Sequence, residues 1–168
     1  MRCCRIIPII AVGLLICSVA RGAAYRDVAI QTGETAGPVE QRVARLLQER
    51  LAEPGMAPVQ IGNTAASGTA TLTILLGRPE RHAALRDAME AEGIPPLTSL
   101  APGPEGFVLH LLPSGPGGTL LAAGIDDRGC LYAAGEILRQ ATFDDGAISI
   151  PDALHVRTAP AFESRGTQ

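Results

Sequence analysis

The chain has 168 residues, 46% of them apolar and 18% charged, with a formal net charge of −3. That length suits one domain, or one domain plus a targeting segment, and the apolar fraction excludes a disordered chain. The 14 basic residues, all arginine, are outnumbered by 17 acids, which excludes a function built on neutralising nucleic-acid phosphates.

Residues 1–24 read as a secretory signal, which predicts a secreted or periplasmic protein. Arg2 and Arg5 make a short positive start, Ile6 to Ala20 is a largely apolar run, and Gly22 and Ala24 are small residues suited to cleavage after Ala24. The run falls short of the roughly 20 residues that span a bilayer. A lipoprotein anchor is the alternative, since Leu14-Leu15-Ile16-Cys17 loosely resembles a lipobox, with Ile16 where a small residue is wanted. Removal of the signal takes Cys3, Cys4 and Cys17 with it. Cys130 then has no intrachain disulfide partner and is expected to be a buried thiol.

Along the remaining chain, Arg26–Gln31 alternates as a short strand and Gly33–Gly37 breaks it. Pro38 suits a first helical turn, and Val39, Val43, Leu46, Leu47 and Leu51 recur at helical spacing as the apolar face. Glu40 falls among the residues assigned to the solvated face. Pro54-Gly55 ends that helix. Strands follow at Pro58–Gly62 and at Thr69–Leu76, which is rich in β-branched residues. Glu80–Glu92 reads as a second helix with Ala84, Leu85, Ala88 and Met89 inward, ended by Gly93. Residues 94–106 hold four prolines and two glycines and form a loop. Phe107–Leu112 and Thr119–Ile125 make a hairpin through a Pro/Gly-rich connection. The third helix is Cys130–Ala141, with Leu131, Ala134, Ile137, Leu138 and Ala141 apolar. Ala147–Ile150 and Leu154–Arg157 are terminal strands. The order β-α-β-β-α-β-β-α-β-β, with hairpins and crossovers both present, predicts an α/β sandwich with a mixed sheet and three helices.

The patterns that carry chemistry are few. Gly115-Pro116-Gly117-Gly118 precedes a strand and lacks the Lys-Ser/Thr of a phosphate loop, so it reads as a hairpin turn. Gly33–Gly37 precedes a helix, but Pro38 removes an amide donor that a phosphate would need. His82, His110 and His155 are isolated in sequence, with no HExxH or HxH, and imply no metal. Asp126-Asp127 stands where a helix cap is wanted and Asp144-Asp145-Gly146 is turn chemistry, so neither pair is read as a glycosidase acid and base. No catalytic residue and no cofactor are expected.

Two segments do carry a resemblance. Gly124–Gln140 (GIDDRGCLYAAGEILRQ) followed by His155–Gln168 (HVRTAPAFESRGTQ) resembles the end of the N-terminal accessory domain of family 20 β-N-acetylhexosaminidases, with relatives among α-glucuronidases and other barrel hydrolases. The matching positions are Asp126 or Asp127, Gly129, Tyr132, Ala133, Leu138 and Gln140. After them comes Thr158-Ala-Pro160-Ala-Phe162-Glu-Ser-Arg165-Gly166, with Thr158 where the family has aspartate. The resemblance implies a zincin-like, non-catalytic α/β domain over residues 25–157 and, in 158–168, the start of a (β/α)₈ barrel. Its partner would be that catalytic barrel in the same polypeptide, and the glycan substrate would be reached only through it. Arg165 is the one position matching a family substrate contact, a donor to sugar hydroxyls. A barrel takes about 250 residues, so the 168-residue sequence is expected to represent a fragment of a secreted glycoside hydrolase, inactive alone.

Two other readings compete with this one. A stand-alone extracytoplasmic module that binds carbohydrate or protein needs a face built from Tyr25, Phe107, Tyr132, Phe143 and Phe162, the chain's only aromatics besides histidine. A small α/β enzyme needs His110, His155 and the acidic turns to converge.

Overall fold

The computed structural model describes residues 23–52, 59–62 and 71–161. Among these residues nine strands and three helices follow in the order β1 (Ala24–Tyr25), β2 (Asp27–Thr32), α1 (Pro38–Leu51), β3 (Val59–Gly62), β4 (Thr71–Gly77), α2 (Ala83–Ala91), β5 (Phe107–Ser114), β6 (Gly117–Gly124), α3 (Asp127–Gln140), β7 (Thr142–Asp144), β8 (Ala147–Ser149) and β9 (His155–Thr158). The expected order of strands and helices is present, and the fold is an α/β sandwich on a mixed sheet. Two short strands are added to the expectation, and they divide the strands into two sheets. The larger has the order β3-β2-β4-β6-β5-β9, with β3, β2, β4 and β6 parallel and β5 antiparallel to both β6 and β9. The smaller, β1-β8-β7, is antiparallel throughout. Its hairpin turns on Asp145 (φ 46°) and Gly146 (φ 68°), the Asp-Gly pattern whose twist suits a two-residue connection.

Alternation along the central strands gives the large sheet two different faces. Ile30, Leu72, Ile74, Leu76, Leu109, Leu111, Leu120 and Ala122 lie on one side, under α1, α3 and the small sheet, which adds Tyr25 and Ile148 to the same core. Leu75, Val108, Leu121 and Ala123 lie on the other, under α2 and the loop that follows it, with Leu85, Met89 and Ile94.

The helices are rotated relative to their apolar periodicity. On α1, Val43, Leu47 and Leu51 face the core as expected, but Val39 and Leu46 are exposed while Ala44 and Glu40 are buried. On α2, which begins at Ala83 rather than Glu80, Leu85 and Met89 are buried and Ala84 is exposed. On α3, Leu131 is exposed and Cys130, Ala133, Ala134 and Ile137 are buried. The cause is common to α1 and α3. They pack against each other as well as on the sheet, so small residues take the positions where backbones come close, and the larger Leu46 and Leu131 are turned outward.

Asp126 caps α3, accepting the Gly129 N–H at 2.7 Å with one carboxylate oxygen and the Glu105 N–H at 3.0 Å with the other. Gly129 is required by packing: a Cβ there would sit 2.4 Å from the Gly106 carbonyl oxygen. The acid-then-glycine spacing seen in the sequence is therefore what seats the first turn of α3 against the 94–106 loop. That loop is tied down from the opposite edge, where the Arg157 guanidinium donates to the carbonyls of Pro95, Pro96 and Ala101, each at 2.9 Å.

Candidate functional site

At the carboxyl ends of β2 and β4 the chain leaves for opposite faces, into α1 from β2 and into α2 from β4. In open α/β sheets such a divergence opens a crevice where ligands bind. Here the crevice is occupied by the protein itself. The 78–82 segment lies so close that a Cβ at Gly33 would meet the Arg81 carbonyl oxygen at 2.0 Å. Glu40, only 1% exposed, holds the two connections together. One of its oxygens accepts the Arg78 N–H at 2.9 Å; the other accepts the Gly37 N–H at 2.6 Å and faces the Arg81 guanidinium at 3.2 Å. Its charge also meets the positive end of α1. Periodicity places Glu40 with the solvent-facing residues, and the fold buries it instead. The signal available in sequence was its position three residues after the glycine that begins the helix, where a side chain folds back on the cap.

His82 completes this closure. Its Nε2 faces the Gln31 carbonyl at 3.2 Å and its Nδ1 accepts the Leu85 N–H at 3.3 Å, making it the N-cap of α2. These partners require the neutral tautomer with hydrogen on Nε2. Burial, opposed by the Gln31 hydrogen bond and by Glu34 and Glu40, holds its pKa below the ordinary histidine value. The cluster is built for rigidity, with both Glu40 oxygens and both His82 ring nitrogens taken up by neighbouring groups.

Two open features remain on the α2 side. A groove of about 410 Å³ is lined by Met89, Ile94, Pro96, Leu97 and Ile125, with Glu80, Arg86 and Glu90 also at its walls. Leu100, on the neighbouring loop, is 93% exposed. Lower on the same face, His110 of β5 and His155 of β9 stand directly opposite in register, their Nδ1 atoms 2.9 Å apart and their rings edge to face at 82°. Burial and the neighbouring His155 lower the His110 pKa, against a raising influence of Glu92.

The structure brings together only part of what the sequence proposed. His110 and His155 meet, while His82 is committed to its cap. Among the described residues no group of three or more His, Cys, Asp or Glu side chains converges to hold a metal ion. Cys130 is buried, and its thiol is pushed up to about 12, chiefly by that burial. Asp126 is a helix cap and Asp144-Asp145 belong to the β7–β8 turn. Of the aromatics, Tyr25 and Phe107 are core residues, Tyr132 packs against the core, and Phe143 is exposed. Phe162 and Arg165, the proposed substrate contact, lie outside the described residues. So does nearly all of the 1–24 segment; Ala24 is described, in β1 and paired with Ser149. Among the described residues no helix is long and apolar enough to cross a membrane.

This is therefore an α/β sandwich module whose switch-point crevice is closed from within. No family model and no curated protein matches the sequence. Among solved structures, the fold is similar to part of a family GH115 4-O-methyl-α-glucuronidase, BtGH115A, described as having specificity for decorated arabinogalactans. The TM-score is 0.57 and the identity 18% over 82% of this chain and 18% of that one. The chain thus spans less than a fifth of the length of that glycoside hydrolase, and at this identity the likeness is one of fold.

Proposed function

We propose that this chain is a non-catalytic N-terminal accessory domain of an exported glycoside hydrolase, of the β-N-acetylhexosaminidase-like type, working in carbohydrate metabolism by packing against and supporting a catalytic barrel in the same polypeptide. The carrying observation is that 82% of the chain shares its fold with 18% of a far longer glycoside hydrolase. The acid-glycine start of α3, shown to be a packing requirement at Gly129, and the Pro160-Ala-Phe162-Glu-Ser-Arg165-Gly166 segment supply the family 20 colouring. In this reading Arg165 donates to substrate hydroxyls only once a barrel surrounds it. The buried Cys130, the committed His82 and the capping role of Asp126 leave those three groups without a catalytic task.

The test has two parts. The chain incubated with a panel of aryl β-N-acetylhexosaminides and α-glucuronides is expected to give no turnover; hydrolysis lost on replacing His110 or His155 would replace this reading with that of a small enzyme. Reading the gene beyond the codon for Gln168 is expected to show several hundred further residues of alternating strand and helix pattern with an adjacent Asp-Glu pair. A stop codon at that point would transfer the proposal to a stand-alone carbohydrate- or protein-binding module.

A further inference from the structure

We propose that His110 and His155 form a two-histidine site for a divalent transition metal of tetragonal preference, copper(II) or nickel(II), which bridges β5 to the edge strand β9. This inference does not depend on the hydrolase reading; it rests on the register and on the distance between two nitrogen atoms.

The backbone sets the pair. His110 and His155 are direct cross-strand partners, and at the next position the Leu111 N–H donates to the Leu154 carbonyl at 3.0 Å. In an antiparallel ladder the hydrogen-bonded and non-hydrogen-bonded pairs alternate, so His110–His155 is a non-hydrogen-bonded pair, where opposed side chains approach most closely. Both rings project on the α2 side of the sheet, because the flanking Leu109 and Leu111 point into the opposite core. α2 does not reach far enough to cover them, so His155 is exposed and His110 half-buried.

The two Nδ1 atoms are 2.9 Å apart. Imidazole nitrogens about 2.05 Å from a metal and at a right angle to each other are separated by about 2.9 Å, whereas a tetrahedral zinc angle needs about 3.3 Å. The pair is therefore spaced for adjacent corners of a square-planar or tetragonal site. To hold a metal, each ring must turn about its Cβ–Cγ bond until both lone pairs meet at one point, with the two Nδ1 atoms kept about this far apart as they turn. Without metal, one Nδ1 must carry hydrogen to bond the other. With metal, that hydrogen moves to Nε2 and both Nδ1 atoms donate, so binding to the neutral pair releases no net proton. Below the histidine pKa a bound proton must leave, so affinity falls in acid. The charged and titratable groups acting on His110 are His155 and Glu92; an anionic carboxylate favours a cation at the pair. Since no third His, Cys, Asp or Glu joins them among the described residues, the remaining coordination positions are filled by water or by a donor from a bound molecule. A metal here would pin the last strand of the domain to its neighbour.

The experiment uses the full chain carrying Cys3→Ser, Cys4→Ser and Cys17→Ser, which removes the competing thiols far from this site in sequence and leaves the buried Cys130. Copper(II) is added at pH 7.5 and followed by electron paramagnetic resonance and calorimetry. One equivalent with a tetragonal signal and hyperfine structure from two nitrogens is expected. His155→Ala, exposed at a sheet edge, and separately His110→Gln should each weaken binding by about tenfold or more, with an unchanged circular dichroism spectrum. Equal affinity in the His155→Ala chain, or a signal lacking two-nitrogen structure in the parent, would overturn the proposal. If His110→Gln unfolds the chain, the His155→Ala result alone decides.

Discussion

The two faces of the large sheet are built to different standards. One carries two 14-residue helices and the small sheet over a continuous core running from Tyr25 to Leu154. The other carries one nine-residue helix and a loop over a much smaller cluster, and it leaves a groove and a histidine pair open. The sheet is common to both, so the contrast is one of covering. The covered face supplies most of the apolar burial that offsets chain entropy. The sparsely covered face holds the apolar groove and the histidine pair, while the α1 side keeps a more polar hollow of about 330 Å³ between the end of β2 and α1. Between them, at the carboxyl ends of β2 and β4, Glu40 and His82 lock the two halves.

That lock is where the comparison breaks most easily. Glu40→Ala removes the acceptor for two backbone N–H groups and leaves Arg81 without its carboxylate, and should cost about 3–5 kcal/mol. Urea unfolding at pH 7.5 measures it, and a loss under 1 kcal/mol would mean the two faces are not joined through this residue. Next in size is a matched pair. Leu47→Ala under α1 should cost about 3–4 kcal/mol, and Leu85→Ala under α2 nearer 2 kcal/mol, because a site bordering an open groove collapses or hydrates more readily. Equal losses would erase the distinction between the faces.

The pH response sharpens it further. Burial lowers the pKa values of both His82 and His110 below the ordinary histidine value. The unfolded chain therefore binds more protons between the folded and unfolded values, and stability rises with pH through that window. It is fully present above about 6.5 and is lost as pH falls below it. The urea midpoint should drop between pH 7.5 and 5.5, and His82→Gln should flatten the drop while lowering stability at every pH. A smaller effect is expected at Tyr25, whose buried hydroxyl has no hydrogen-bond partner. Tyr25→Phe should be neutral or raise stability by about 1 kcal/mol, read as a higher Tm. Leu100→Ser, at a 93% exposed position, should change stability by less than about 0.5 kcal/mol.

Local signals carried much of the fold. The Pro38 start and apolar spacing to Leu51 define α1, the Asp126 cap defines the start of α3, and the β-branched run marks β4. Each depends on contacts within a few residues, which periodicity and capping chemistry report. The strands β1 and β7, which flank β8, are not legible in the sequence because each is only two or three residues long and takes its order from β8 rather than from its own pattern. Val39, Leu46 and Leu131 have core spacing in the sequence and are exposed in the fold for a related reason. A helix packed on one sheet and one helix has its buried arc set by both neighbours, and sequence spacing reports only the arc's width.

By itself, then, the sequence determined the element types, their order and the α/β class, because hydrogen-bonding period, caps and turns are written locally. The tertiary structure alone decided that Glu40 is buried, since only the approach of the 78–82 segment gives its carboxylate the Arg78 and Arg81 partners. It alone decided that His110 and His155, 45 residues apart, share one spot. The cause in both cases is strand register, a long-range choice made by the packing of whole faces and invisible to any short window of residues.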